Sequence, residues 1–440
     1  MATILQDYWK QTHMRFPIRA RFPLLVRQAE RMLRLLAWLW RRMLWRTTVI
    51  AVTGSVGKTT TKEWLGKMLA SRFPTAVSFD TDNGRLGVPR SLLKIRPWHR
   101  YAVLEIAMGD VGDLAEQAAL VKPGAALILC VQKVHIRQLG SLAAIQKEKE
   151  ALAAAVGPKG WVVLNGSDPL VREMAGRCRA RVIWFGSEDP NSFRAEEVSA
   201  RWPARLSFRL CRNSSSWPLE TRLVGEQWTA SLLAAFTAAD CCGIAPEEAL
   251  RTAELIEPYR ARMEPVQTPN GAWILRDEYN SSHVSWQAAL RCLRETKPLR
   301  RWMVLSNVAD VDLGSQQKSR LLARELLESA DCVALVGMHR KQFRHHLLSQ
   351  GFPAEHLFLF ESCREAAPWL AAHLGEGDLA VLRGHTSHHL SRIIYALWGP
   401  VACRIDKCDR RCLCDFCGDL YRGGPKPSGP MKHYWRPIYY

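Results

Sequence analysis

The sequence predicts an α/β protein with two doubly wound blocks: a phosphate-loop central domain with a mostly parallel sheet, then a smaller Rossmann-like α/β domain. Three observations carry this. A β-branched apolar run at Val49–Val52 leads through a glycine loop into a helical stretch. Short apolar runs then alternate with helical stretches to about residue 397. Composition breaks twice, near Tyr259–Pro269 and after Pro400.

Taken in order, residues 24–46 (LLVRQAERMLRLLAWLWRRMLWR) mix apolar and basic residues at helical spacing. Trp38, Trp40 and Trp45 stand near Arg41, Arg42 and Arg46. The segment reads either as a helix lying on an anionic membrane or as a helix packed on the core. Strands are expected at 101–108, 125–131, 161–165 and 181–186, with a helix over 142–156, because buried parallel strands are near-continuous apolar runs. The second block predicts strands at 272–280, 301–308, 332–338 and 378–385, separated by helices at 284–296, 316–329 and 387–397. The expected divisions are a basic helical segment 1–47, a central domain 48–263, a C-terminal domain 264–399 and a Cys-rich basic tail 400–440.

The 440 residues are 48% hydrophobic, enough for two cores, and 23% charged, which excludes a disordered chain. The net charge of +19 favours acidic partners. The excess is concentrated at the ends: residues 1–50 carry ten Lys/Arg against Asp7 and Glu30. The middle is closer to an ordinary enzyme, and no groove-reading module is evident, so no specific nucleic acid is expected. Of 13 cysteines, eight sit mostly in apolar runs and read as free thiols of a reducing compartment. With no secretory signal and no run of about 18 apolar residues, a cytoplasmic protein is expected, with membrane association as the added reading of the ends.

The glycine loop is Thr53-Gly54-Ser55-Val56-Gly57-Lys58-Thr59-Thr60, a shorter form than the general phosphate loop because Val52 occupies the first glycine position. Glycines let backbone N–H groups approach phosphates, and the helix start adds a favourable dipole. Lys58 would bridge the β- and γ-phosphates of ATP, and Thr59 would hold Mg²⁺. The tail places Cys408, Cys412, Cys414 and Cys417 within ten residues, downstream of Cys403. Such spacing reads as a Zn²⁺ or iron–sulfur site or as a reduced flexible tail.

Around the loop the sequence resembles the Mur ligase family, through TGSVGKTTTKE, DNGRLGVPRSLL (82–93), LEIAMGDVGDL (104–114), HIRQLGSLAAIQKEKEAL (135–152), LNGSDPLVREMA (164–175), RARMEPV (260–266) and DEYNSSHVSWQAAL (277–290). The resemblance runs from about Val49 to Ile394. It implies an ATP- and Mg²⁺-dependent ligase that activates a carboxylic acid as an acyl phosphate for attack by an amine. By the same resemblance Glu105 is a Mg²⁺ ligand, His135 belongs to a second metal site, and Lys149 is a lysine that becomes an anionic carbamate. On its own, Lys149 in QKEKEAL is a solvated helix face, and Lys147 is easily confused with it. Arg262 matches an arginine on the γ-phosphate, Asp277 an aspartate on the ribose, and Asn83 part of a substrate-side motif.

The match breaks in four places. Only about fifty residues precede the loop, where the family has a domain for a sugar nucleotide. The base-contacting segment reads Gly225-Glu226-Gln227-Trp228-Thr229-Ala230-Ser231, with both family asparagines replaced and Trp228 as the candidate to stack on the base. Asn280-Ser281-Ser282-His283 and Arg383-Gly384-His385 are also altered. The expected activity is therefore an amide ligation on an acid other than the usual UDP-muramoyl peptide. A cell-wall-precursor ligase adding D-alanyl-D-alanine with a trimmed substrate domain is the second reading. A non-catalytic nucleotide-binding scaffold at the membrane is the third.

Overall fold

The structure is a computed structural model that describes residues 23–134, 139–189, 192–279, 282–297, 299–306, 313, 315–337, 340–384, 386–399, 401–405, 408, 413–417 and 420. The chain divides into two compact units between Glu257 and Pro258, with Arg201–Ala204 counted in the second. The division falls six residues before the expected one.

The first unit runs α1 (Pro23–Met43), β1 (Thr48–Thr53), α2 (Lys58–Ala70), β2 (Thr75–Val77), α3 (Gly87–Lys94), β3 (Tyr101–Glu105), α4 (Asp113–Val121) and β4 (Ala125–Ile128). It continues with α5 (Leu142–Ala154), β5 (Trp161–Asn165), α6 (Pro169–Glu173) and β6 (Arg181–Phe185). Three further strands, β7 (Arg194–Ser199), β8 (Ser207–Arg212) and β9 (Ser215–Glu220), precede α7 (Thr229–Cys241) and α8 (Pro246–Glu254). The main sheet has the order β2-β3-β1-β4-β5-β6, and its strand pairs are all parallel. Alternate side chains of a strand point to opposite faces. Accordingly Ile50 and Val52 join a core with Trp64, Leu65 and Met68 of α2 and with α7, while Val49 and Ala51 join a core with Ala37, Leu92, Leu114 and Ile145 on the other face. Burying β1 on both faces holds the loop at its end on a rigid support.

The expected basic N-terminal segment is thus not separate, because α1 packs on the first unit. Ala37 and Leu44 are buried, Trp40 Nε1 donates to the Ile95 carbonyl at 2.9 Å, and Arg41 Nε donates to the Val121 carbonyl at 2.6 Å. Among the described residues no helix is long and apolar enough to cross a membrane.

The second unit contains β10 (Glu264–Gln267), β11 (Trp273–Asp277), α9 (His283–Arg294), β12 (Arg301–Leu305), α10 (Ser315–Leu327), β13 (Cys332–Val336), α11 (Arg340–Ser349), β14 (Leu357–Phe360), α12 (Cys363–His373), β15 (Leu379–Arg383) and α13 (Ser391–Trp398). Its sheet order is β10-β11-β15-β12-β13-β14, with only the β10–β11 pair antiparallel. The described part of the tail is also not separate. Leu413, Cys414 and Leu420 are buried, and Cys414 and Leu420 cluster with Tyr395 of α13. Ala402 N donates to the Leu420 carbonyl at 3.0 Å. Asp415 is the anchor: both its oxygens accept from Arg276 of β11 at 2.9 Å, and Arg260 lies 3.6 Å away. Glu278 and Glu264 approach the same guanidinium at 2.6 Å and 3.4 Å.

Candidate functional site

In open parallel sheets ligands bind beyond the carboxyl ends of the strands, where the order reverses. In the first unit that place is the end of β1, flanked by β3 and β4. Register puts Val52 beside Glu105 and Thr53 beside Ile128, so the glycine loop, the last residue of β3 and the segment after β4 arrive at one level.

The loop is braced from β4. Ser55 N donates to the Cys130 carbonyl at 3.0 Å, Ser55 Oγ donates to the Gln132 carbonyl at 3.0 Å, and Gln132 N donates to Ser55 Oγ at 2.8 Å. Cys130 Sγ reaches the Val56 carbonyl at 3.8 Å. Gly57 has φ +83°, a left-handed conformation that disfavours any side chain. A Cβ there would also lie 2.7 Å from Ser231 Oγ, and one on Gly54 would lie 2.8 Å from Leu129 Cβ. The loop is therefore closed to anything larger than glycine at both positions. Lys58 begins α2 and folds back, donating to the Gly54 carbonyl at 2.8 Å and to Ser55 at 3.3 Å. The Thr59 and Thr60 side chains are buried in the first turn, and Thr60 Oγ1 has no hydrogen-bond partner among the described residues.

Glu105 is buried at the end of β3. Its Oε1 accepts from Asn83 Nδ2 at 2.6 Å. Its Oε2 is buried with no hydrogen-bond partner among the described residues. A buried carboxylate oxygen left so is costly unless a cation completes it. The donor set of Glu105 oxygen and Thr59 hydroxyl suits a hard cation such as Mg²⁺. Asn83, expected on the substrate side, holds Glu105 through this hydrogen bond.

Lys149 lies on α5, which is capped by Ser141 accepting from Ala144 N at 3.1 Å. It is 1% exposed, whereas Lys147 is exposed, so burial separates two residues that the sequence left confusable. Burial, then the nearby Lys58 ammonium, push the Lys149 amine down to about 7. About half of it is therefore neutral near pH 7, against about one in a few thousand for an ordinary lysine. Burial raises the neighbouring Cys130 thiol, so it stays protonated. His135 lies outside the described residues.

Trp228 is half-buried, donates from Nε1 to the Val224 carbonyl at 2.9 Å and meets Trp64 edge-on with ring centroids 6.0 Å apart. Sequence reasoning noticed Ser231 only as a replaced asparagine. The fold puts it against Gly57, a proximity that no local pattern signals.

In the second unit Asp277 ends β11 beside Arg383 of β15, and the two buried side chains form an ion pair. Arg383 Nη2 also donates to Ser285 Oγ at 2.6 Å. Arg262 sits between two rings, 4.6 Å from the Tyr279 centroid and 5.6 Å from that of Tyr259. Its neighbours Ala261 and Met263 have φ of 55° and 51°, uncommon for residues with side chains. The Zn²⁺ or iron–sulfur reading of the tail finds no support: among the described residues no group of three or more His, Cys, Asp or Glu could hold a metal ion. Cys414 Sγ meets His389 Nδ1 at 3.3 Å, Cys408 and Cys417 are half-buried, and Cys412 lies outside the described residues. No described cysteine is in a disulfide.

Residues 52–239 match the Mur ligase middle domain, and residues 261–386 match the Mur ligase, glutamate ligase domain. The chain is 30% identical over 270 residues to the UDP-N-acetylmuramoyl-tripeptide--D-alanyl-D-alanine ligase of Mycobacterium tuberculosis, covering 60% of this chain and 53% of that one. It is 31% identical over 286 residues to the Synechocystis enzyme of the same name, covering 65% and 60%. The chain thus spans about half the length of the first curated relatives it matches. A crystal structure of MurF from Acinetobacter baumannii superposes with TM-score 0.76 at 25% identity, covering 84% of this chain and 80% of that one. MurF from Thermotoga maritima in complex with ADP shares the fold, with TM-score 0.71 at 20% identity and 82% of each chain covered.

Proposed function

Because the chain belongs to the Mur ligase family, we propose that it is an ATP-dependent ligase that joins a carboxylic acid to an amine. The observation that carries this reading is the set gathered at the end of β1: a braced glycine loop, Lys58, Thr59, a buried Glu105 with one unpartnered oxygen, and a buried Lys149 with a half-neutral amine.

The reaction brings one anion to another. A substrate carboxylate oxygen attacks the γ-phosphorus of ATP, the bond to the β-phosphate oxygen breaks, and ADP leaves. An amine nitrogen then attacks the acyl carbon, phosphate departs and the nitrogen loses a proton. Loop N–H groups and the start of α2 face the phosphates. Lys58 leaves the Gly54 and Ser55 carbonyls for the β- and γ-phosphate oxygens and offsets their charge as it shifts in transfer. Mg²⁺, when bound, would reduce the repulsion between phosphate and carboxylate. Thr59 and Glu105 would hold it, with Asn83 keeping Glu105 in place. Only a neutral amine attacks CO₂, so Lys149 is suited to lose a proton and become a carbamate, which adds an anionic ligand in the same group; His135 would serve the second metal. Arg262 and Asp277 are proposed to meet the γ-phosphate and the ribose, and Trp228 the base. The group works where water-filled cytoplasm supplies ATP and keeps thiols reduced.

The acid is proposed to differ from the standard UDP-muramoyl peptide. In support, Gln227-Trp228 and Ser231 replace the family's base-side pattern, and the segments around Asn280 and His385 are altered. The relatives' names favour a second reading, addition of D-alanyl-D-alanine. ATP-dependent phosphate release across a panel of acids and amines, including D-alanyl-D-alanine with a UDP-muramoyl tripeptide, decides between them. Release that is stimulated by one pair and abolished by Lys58→Ala supports the ligase. Absence of Lys58-dependent release with every pair leaves a nucleotide-binding scaffold.

A further inference from the structure

Over its described side chains α1 packs on the unit through Ala37, Trp40 and Arg41, but its outer face stays exposed. Met32, Leu35, Leu36, Leu39 and Met43 recur at the three- and four-residue spacing of one helix face, and they are 57%, 50%, 48%, 47% and 60% exposed. Trp45, just past the helix end, is 74% exposed. The stripe spans about 16 Å of helix. Exposed apolar residues are ordinary singly, but a contiguous stripe marks a contact surface.

The charge beside the stripe says what it contacts. Arg27, Arg31, Arg42 and Arg46 are exposed, and the helix contains a single acid, Glu30. Arg42 lies over the Trp38 ring at 3.5 Å and Arg46 over the Trp45 ring at 4.6 Å, so aromatic and cationic groups are presented together. Packing holds the face outward: Arg34 pairs with Glu116 at 2.7 Å, and Arg41 and Trp40 bond backbone carbonyls of α4 and the segment after α3. A second copy would bring the same arginines, and the whole chain carries +19. Residues 1–22 have Lys10, Arg15, Arg19 and Arg21 against Asp7, so they too carry the wrong sign.

We propose that α1 and Trp45 form a docking face for an anionic lipid bilayer. The aliphatic stripe enters the headgroup–acyl boundary and the arginine row pairs with lipid phosphates, as surface-lying amphipathic helices do. The helix lies in the interface and does not span it. The inference is independent of the ligase reading.

The test is co-sedimentation of the full chain with phosphatidylcholine vesicles prepared with and without phosphatidylglycerol. Wild type should bind the anionic vesicles and release from them as salt is raised. The exposed double substitution Leu35→Ser with Leu39→Ser should weaken binding by roughly tenfold or more at unchanged thermal melting. Arg31→Gln with Arg42→Gln should flatten the salt dependence. Absence of binding, or binding indifferent to both double substitutions, overturns the proposal. So does a wild-type dimer in solution that Leu35→Ser with Leu39→Ser turns into monomer without any effect on vesicles, which gives the face to a second copy. Binding only to an acidic protein segment gives it to a protein partner and equally overturns the lipid assignment.

Discussion

Replacing Asp415 by alanine probes how the second unit is completed. In the structure Asp415 is buried and accepts two charge-assisted hydrogen bonds from Arg276, with Arg260 at 3.6 Å. Burial would raise its carboxyl, but the Arg276 guanidinium outweighs that and holds it below the usual range. Removing one partner of such a buried pair costs about 3–5 kcal/mol. Glu278 and Glu264 remain on Arg276, so Asp415→Ala should fall near the lower figure. Arg276→Met, which leaves three carboxylates with Arg260 alone, should exceed it. For a unit of this size about 3 kcal/mol lowers the melting temperature by roughly 6–12 °C. The sign of the pH effect is set by the depressed folded value. Asp415 stabilises above the ordinary carboxyl value near 3.9, and that contribution fades as pH falls through the folded one. The gap between wild type and Asp415→Ala should therefore narrow below about pH 4. Differential scanning calorimetry reads both the gap and its pH dependence. A loss under about 1 kcal/mol at pH 7, or a gap that widens in acid, would refute the account of the tail as docked through this carboxylate.

Lys149→Met should abolish substrate-stimulated phosphate release by about a hundredfold or more while stabilising the fold. For the free amine, with a folded pKa of about 7, below the unfolded one, stability at Lys149 is lost as pH falls towards 7, so the gain in CO₂-free buffer is about 4 kcal/mol at pH 7 and about 2 kcal/mol at pH 9 by denaturant titration; an equal gain at both would contradict the lowered amine. Glu105→Gln should raise the Mg²⁺ concentration needed for half-maximal phosphate release at least about tenfold, and an unchanged requirement would remove Glu105 from the metal. Gly57→Ala forces φ +83° on a side chain and crowds Ser231; it should cost about 1–2 kcal/mol and weaken binding of a fluorescent ATP analogue, whereas wild-type affinity would show that the loop tolerates a Cβ.

The parallel strands of both units are legible in the sequence because strands buried on two faces are continuous apolar runs: 161–165 is expected and Trp161–Asn165 is observed. The loop is legible because its chemistry is local. The strand expected over 101–108 ends instead at Glu105, which places this carboxylate at the carboxyl end of an interior strand. The β7–β8–β9 meander is missed because its strands are half-exposed and rich in Arg, Glu and Ser, which blurs the alternation. The distinction between Lys147 and Lys149 depends on which face α5 turns inward, a tertiary fact. Asp415 on Arg276 and Arg383 beside Asp277 join residues more than a hundred positions apart, and no periodicity encodes such pairs.

The buried amine on α5 has a consequence for laboratory evolution. A selection for heat resistance alone would enrich apolar replacements of Lys149, since each relieves the desolvated amine. On the proposed ligase reading the sturdiest survivors would then be those that no longer turn over ATP, so a thermostability campaign on this chain has to select for both properties at once.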